Sequence, residues 1–164
     1  MQRPTPIPPK PGQESVWDYP RPPRLEAVAR RVRVEVDGAV VADAPAAIRI
    51  LETSHPPTYY VAPEHVDFDL LDPVGGGSFC EWKGVAAYFD VVTDSRRIEG
   101  AAWSYPTPSE TFAALTDHLA FYPALVSCFV DEERVRPQPG RFYGGWITDD
   151  VVGPFKGEPG TMFW

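Results

Sequence analysis

The chain contains only three lysines, Lys10, Lys83 and Lys156, and one of them sits inside an apolar and aromatic run, SFCEWKGVAAY at 78–88. A lysine kept among such neighbours has two chemical uses. Its ammonium can hold an anion, or its amine, once stripped of water, can act as a nucleophile or base. The competing use for Lys83 is an architectural ion pair with Glu52 or Glu81. Glu52 is the complementary outlier, because it continues the face of Ile48 and Ile50 in AIRILE at 47–52. A carboxylate in line with core side chains must be paired or protonated, which suits a general base or an acceptor for a ligand. The plainer role is a cap on the Thr53–His55 backbone. Cys80, three residues before Lys83, is the third catalytic candidate, as a nucleophile.

Aromatic side chains supply a candidate ligand-binding wall: Tyr60, Trp82, Tyr88, Trp103 and Tyr105. Strand parity puts Gly84, Ala86 and Tyr88 on one face, and two small residues beside a tyrosine leave room for a ligand or for a neighbouring ring. Trp103 and Tyr105 share a face of their own strand. The same residues would serve equally as an aromatic core.

Other chemistries lack their patterns. His55, His65 and His118 match no metal-ligand spacing and neither cysteine belongs to a Cys-x-x-Cys pair, so neither a metal nor a cofactor is expected. Gly75-Gly76-Gly77-Ser78 has the composition of a phosphate cradle, but no Gly-Lys-Ser/Thr follows and a strand comes next. There is no Gly-x-Ser-x-Gly elbow.

These residues must be positioned mainly by strands. RVRVEV at 31–36 alternates, with Val32, Val34 and Val36 inward, and Asp37-Gly38 is a hairpin turn before the return strand 39–42. Strands are predicted at 47–52, 58–61, 85–92 and 98–104, and a last hairpin joins 125–130 to 134–135. Residues 62–78 read as a long connection with the three glycines as its flexible joint. One α-helix is predicted, with Thr107 as N-cap, Pro108 at N1 and Glu110 completing a capping box, a buried stripe of Phe112, Leu115 and Leu119, and Pro123 as its stop. The fold class is therefore mainly β, antiparallel, with one short α-helix.

The 164 residues suffice for one domain, and the net charge of −8 is concentrated in residues 34–135, which disfavours nucleic acid and anionic membrane as partners. Eight of the 20 prolines fall in residues 1–23, so 1–13 read as a Pro-rich disordered tail and 14–164 as a single domain. Within it, 137–164 are too aromatic for a tail (Phe142, Tyr143, Trp146, Phe155, Phe163, Trp164) and should wrap and cover the sheet. No signal-peptide core, no membrane-length apolar run and two cysteines point to a cytoplasmic protein with free thiols.

ESVWDYPRPP at 14–23, ETSHPPTYYVAPEHV at 52–66, CEWKGVAAYFDV at 80–91, AAWSYPTP at 101–108 and LAFYP at 119–123 resemble a bacterial family, domain of unknown function 427. Residues 137–164 resemble the C-terminal extension of its longer members. The resemblance implies a β-tent-like (Mss4-like) pair of antiparallel sheets. It also carries a nucleotidyltransferase-like label, although Gly77-Ser78 here is not followed by the helix and paired-Asp strand of that chemistry. The motif positions of the family fall on Glu52, Pro57, Tyr60, Cys80, Lys83, Gly84, Tyr88, Trp103 and Tyr105. Where many members have Pro-Tyr between the Cys and the Lys, this chain has Glu81-Trp82.

Three functions follow as expectations. The first is a small-molecule-binding domain with an aromatic cleft and a Lys/Glu rim, suited to an anionic or zwitterionic ligand. The second is an enzyme using Lys83 or Cys80 with Glu52 as base, with nucleotide-related group transfer as its candidate reaction. The third is a structural or interaction module that docks through its Pro-rich start.

Overall fold

Three valines one residue apart organise the first sheet. Val32, Val34 and Val36 of the strand Val32–Val36 are all buried, while Arg31 before them and Arg33 and Glu35 between them stay partly or fully exposed, as the alternation requires. Asp37 and Gly38 both adopt positive φ, 50° and 84°, the two-residue turn whose twist matches that of a hairpin. The return strand Ala39–Ala44 pairs on one side, Ser127–Val130 on the other, and Glu133–Arg134 closes a four-stranded antiparallel sheet. The computed structural model describes residues 3–140 and 142–164.

Two further sheets hold the residues of interest. Arg24–Val28, Ala47–Leu51 and Thr58–Tyr60 form a three-stranded antiparallel sheet. Leu71–Cys80, Gly84–Val92, Arg97–Ser104 and Leu119–Phe121 form a second four-stranded one. A bridge joins them edge to edge: Val61 and Leu119 exchange N–H···O bonds of 2.8 Å in both directions. Between the sheets lies one core built on the valines with Val61, Leu119, Phe121 and Trp146, and a second, aromatic one built on Tyr60, Trp103, Tyr105 and Phe112. The protein is mainly β and antiparallel.

Several expectations are corrected. Gly75–Gly77 are not a joint in a connection; they lie inside the ten-residue strand Leu71–Cys80, where the register with the neighbouring strand shifts between Val74 and Gly77. Pairing to Gly84–Val92, not side-chain pattern, makes that segment a strand. The helix after Pro108 is short but is 3-10, not α, and runs only from Glu110 to Leu115. Thr107 does not cap it. Ser109 stands at the cap without a side-chain cap bond; its hydroxyl donates to the Trp82 carbonyl at 2.6 Å and its N–H to that of Lys83 at 3.1 Å. The segment is thus fastened to the 82–83 turn. Phe112 and Leu115 are buried as expected, but Leu119 belongs to a strand opposite Ser104, so the helix ends well before Pro123. Arg24–Val28, whose mixed pattern carries no clear alternation, is a strand as well.

The two ends of the chain meet. Glu14–Ser15 pairs in parallel with Val151–Val152, and Ile7 N–H donates to the Gly153 carbonyl at 2.9 Å, so part of the Pro-rich start runs beside the end of the chain instead of hanging free. Among the described residues no helix is long and apolar enough to cross a membrane.

Candidate functional site

The hairpin Leu71–Cys80 and Gly84–Val92 places Cys80 opposite Gly84 and Ser78 opposite Ala86. The next pairing sets Tyr88 directly opposite Trp103. Because alternate residues share a face, Ser78, Cys80, Ala86 and Tyr88 face the same side as Trp103. Ser78 Oγ and the Tyr88 hydroxyl meet at 2.6 Å. The neighbouring sheet brings Tyr60, whose ring meets Trp103 edge-on at 6.2 Å and whose hydroxyl oxygen accepts a 3.4 Å hydrogen bond from the indole Nε1. Tyr105 lies 6.3 Å from Tyr60 on the other side.

These walls enclose a cavity of about 500 Å3. All eight residues singled out from the sequence line it: Glu52, Tyr60, Cys80, Trp82, Lys83, Tyr88, Trp103 and Tyr105. Tyr60, Trp103 and Tyr105 are buried and serve as aromatic core at the same time, whereas Cys80, Trp82, Lys83 and Tyr88 are half-buried and open to the space. Burial pushes the Tyr60 and Tyr105 hydroxyls up, so these phenols stay protonated in neutral solution.

Lys83 is not engaged as an architectural ion pair would require. Among the described residues no carboxylate oxygen lies within 4.0 Å of its Nζ, which sits 5.9 Å from the centre of the Tyr105 ring. Glu52 pairs with Arg21 instead, at 3.3 Å. Its side chain makes no hydrogen bond to the Thr53–His55 backbone, so it is not the cap that the sequence allows for; His55 N–H bonds to the Glu52 main-chain carbonyl, at 3.0 Å.

Five contributors lie outside the site residues that the sequence singles out: His55, Gln138, Tyr143, Gly144 and Lys156. His55 packs edge-on against Tyr143, 4.8 Å between ring centres, and its Nε2 lies 3.6 Å from Glu52 Oε2. Burial, followed by the positive charges of Lys156, Arg21 and Lys83, lowers its imidazole to about 3, so His55 is neutral and its approach to Glu52 is not a salt bridge. Gln138 Nε2 donates to the Lys156 carbonyl at 2.8 Å and meets His55 Nδ1 at 3.1 Å, while Gln138 Oε1 accepts from Gly145 N–H at 3.1 Å. This orientation of the amide makes Nδ1 the acceptor and leaves the imidazole proton on Nε2. Gly144 packs against Trp103, so close that a Cβ there would collide with the indole. Residues 138–156 thus close one wall of the cavity with Gln138, Tyr143, Gly144 and Lys156. The only local signal for any of them is the scarcity of lysine.

The arrangement offers aromatic walls set at angles to one another, cationic and neutral hydrogen-bond donors, and two carboxylates, of which Glu52 is held by Arg21. Among the described residues no three of His, Cys, Asp and Glu converge as a metal site. A search of curated proteins returned no match. Residues 24–135 match the family described as a domain of unknown function, DUF427, and this chain belongs to that family.

Proposed function

We propose that the protein binds a small organic anion in this cavity, with the apolar part of the ligand against the half-buried rings of Trp82 and Tyr88, backed by the buried Tyr60 and Trp103, and its charged group at Lys83. The observation that carries this reading is the Lys83 ammonium, presented on the wall of an aromatic cavity with no carboxylate within 4.0 Å among the described residues. In a chain of net charge −8, a lysine without a protein counter-charge is matched to a charge brought from outside. Glu52, held by Arg21, borders the same space and orients a donor group of the ligand.

The enzymatic reading, with Lys83 or Cys80 as nucleophile and Glu52 as base, has less support. No hydrogen bond or ion pair joins Glu52 to either residue among the described contacts, and Arg21 occupies its carboxylate. A cytoplasmic location is part of the proposal, supported by the free thiols of Cys80 and Cys128.

A thermal-shift screen of aromatic and aliphatic carboxylates, phosphates and sulfates tests the reading. A ligand at about 100 times its Kd adds roughly 2.7 kcal/mol, a shift of several degrees for a domain of this size. The stabilisation should vanish in Lys83→Met while the fold is kept. A screen that is flat for every anion class contradicts the proposal.

A further inference from the structure

Lys83 is not the only cation turned toward the cavity without an answering carboxylate. Lys156 lines the same space, with its Nζ 5.6 Å from the centre of the Tyr143 ring, much as Lys83 lies over Tyr105. Among the described residues it too has no carboxylate oxygen within 4.0 Å. Two of the three lysines of the chain therefore meet one cavity. Arg21 is a third cation near His55, but Glu52 answers its charge at 3.3 Å. Glu81, the other carboxylate on the wall, is exposed and makes no ion pair among the described residues.

The position of Lys156 is built. Its N–H donates to the Ser54 carbonyl at 2.9 Å and its own carbonyl accepts from Gln138 Nε2 at 2.8 Å, so both sides of its backbone are held. The same Gln138 amide sets His55 with its proton on Nε2, which adds a neutral donor to the two ammonium groups. Like charges facing a common space repel, and an anion with two negative charges relieves that repulsion better than one with a single charge. Lys83 lies inside the family-matched region, residues 24–135, and Lys156 lies beyond it.

Resting on the anion-binding reading above, we propose that the ligand carries a dianionic group, as a phosphate monoester does, engaged jointly by Lys83 and by Lys156, and that the segment after residue 135 confers this preference. Phenyl phosphate and phenyl sulfate test it, because they share ring and shape while only the phosphate gains a second charge, near pH 6. The titratable groups facing the ligand are Glu52, His55, Cys80, Glu81, Lys83 and Lys156, with the tyrosines. The sulfate ester reports on all of them, since its own charge is constant.

Calorimetric titration at about pH 7.5 should show the phosphate binding about tenfold or more tighter than the sulfate. At about pH 5, where the phosphate is mostly a monoanion, the ratio should fall toward one. Lys156→Met should abolish the preference at the higher pH while sulfate binding through Lys83 persists, and Lys156→Arg should retain it. Lys156→Gln serves the same purpose if the Met variant does not fold. Equal affinity for the two esters at the higher pH in the unaltered protein overturns this inference and leaves the anion reading standing. A preference that survives loss of the Lys156 charge overturns the assignment to Lys156. If neither ester binds, and the wider anion screen is flat as well, the underlying reading fails.

Discussion

Gln138 reaches His55 across 83 positions of sequence, with 3.1 Å between its Nε2 and the imidazole Nδ1. That contact ties the C-terminal segment to the loop between the strands Ala47–Leu51 and Thr58–Tyr60 of the three-stranded sheet, and it does so at the edge of the cavity. It also depends on His55 being neutral, because a protonated Nδ1 accepts nothing.

The pH dependence of stability follows with a definite sign. In the unfolded chain His55 takes up a proton below about pH 6.5, but in the folded protein only near 3. Between those values the unfolded state binds more protons, so stability falls as the pH drops. Urea denaturation at about pH 7.5 and pH 5 should show the native protein losing about 2 kcal/mol more than His55→Gln over the same interval. Parallel losses in the two proteins would show that His55 is not held neutral by the fold.

Gly144 and Trp103 make the second contact that closes the cavity. Any side chain at 144 meets the indole and the Tyr122 ring packed beside it, 4.5 Å from Trp103 between ring centres, so there is little room to give way. Gly144→Ala should cost about 1–3 kcal/mol in thermal or urea unfolding and should change the tryptophan emission of the folded protein. An unchanged midpoint and spectrum would mean that the 138–145 segment is not seated on Trp103.

Outside the cavity lining, Arg49 is 6% exposed and bonds to Glu14 at 2.7 Å and Glu26 at 2.5 Å. Glu14 also accepts from the Tyr19 hydroxyl at 2.6 Å. Removing the guanidinium leaves two carboxylates without their counter-charge, though both retain partial access to water. Arg49→Met should therefore destabilise by about 2–3 kcal/mol and loosen the start of the chain, seen as faster proteolysis N-terminal to residue 20. The exposed pair of Arg31 with Asp43 makes the comparison: Arg31→Ala should barely move the unfolding midpoint. Equal effects at the two sites would contradict the structural weight given to Arg49.

What was legible in the chain was local. The alternation of Val32, Val34 and Val36, the Asp37-Gly38 turn and the shared face of Ala86 and Tyr88 all depend on period-two geometry, which a strand imposes on neighbours two residues apart. Gly75–Gly77 have no side chains to show such a period, so only their partner strand reveals them as β. Glu110–Leu115 carries helical signals, but its fastening to Trp82 and Lys83 and the early return of the chain to the sheet at Leu119 limit it to a short 3-10 turn. For the site, Lys83 and Glu52 stand out because charge is unusual within apolar runs. His55, Gln138 and Lys156 are brought to the cavity by contacts between distant segments, and nothing in their immediate neighbours marks them.

The central claim is that Lys83 faces a ligand and not a protein carboxylate. Titration of the unaltered protein and of Lys83→Met with the best-stabilising anion from the screen tests it most directly, with an unfolding curve recorded for each. The account predicts that the substitution leaves stability nearly unchanged, since no ion pair is broken, and weakens binding by about tenfold or more. A variant that loses stability, yet binds the anion as tightly as before, would contradict it and make Lys83 a structural residue.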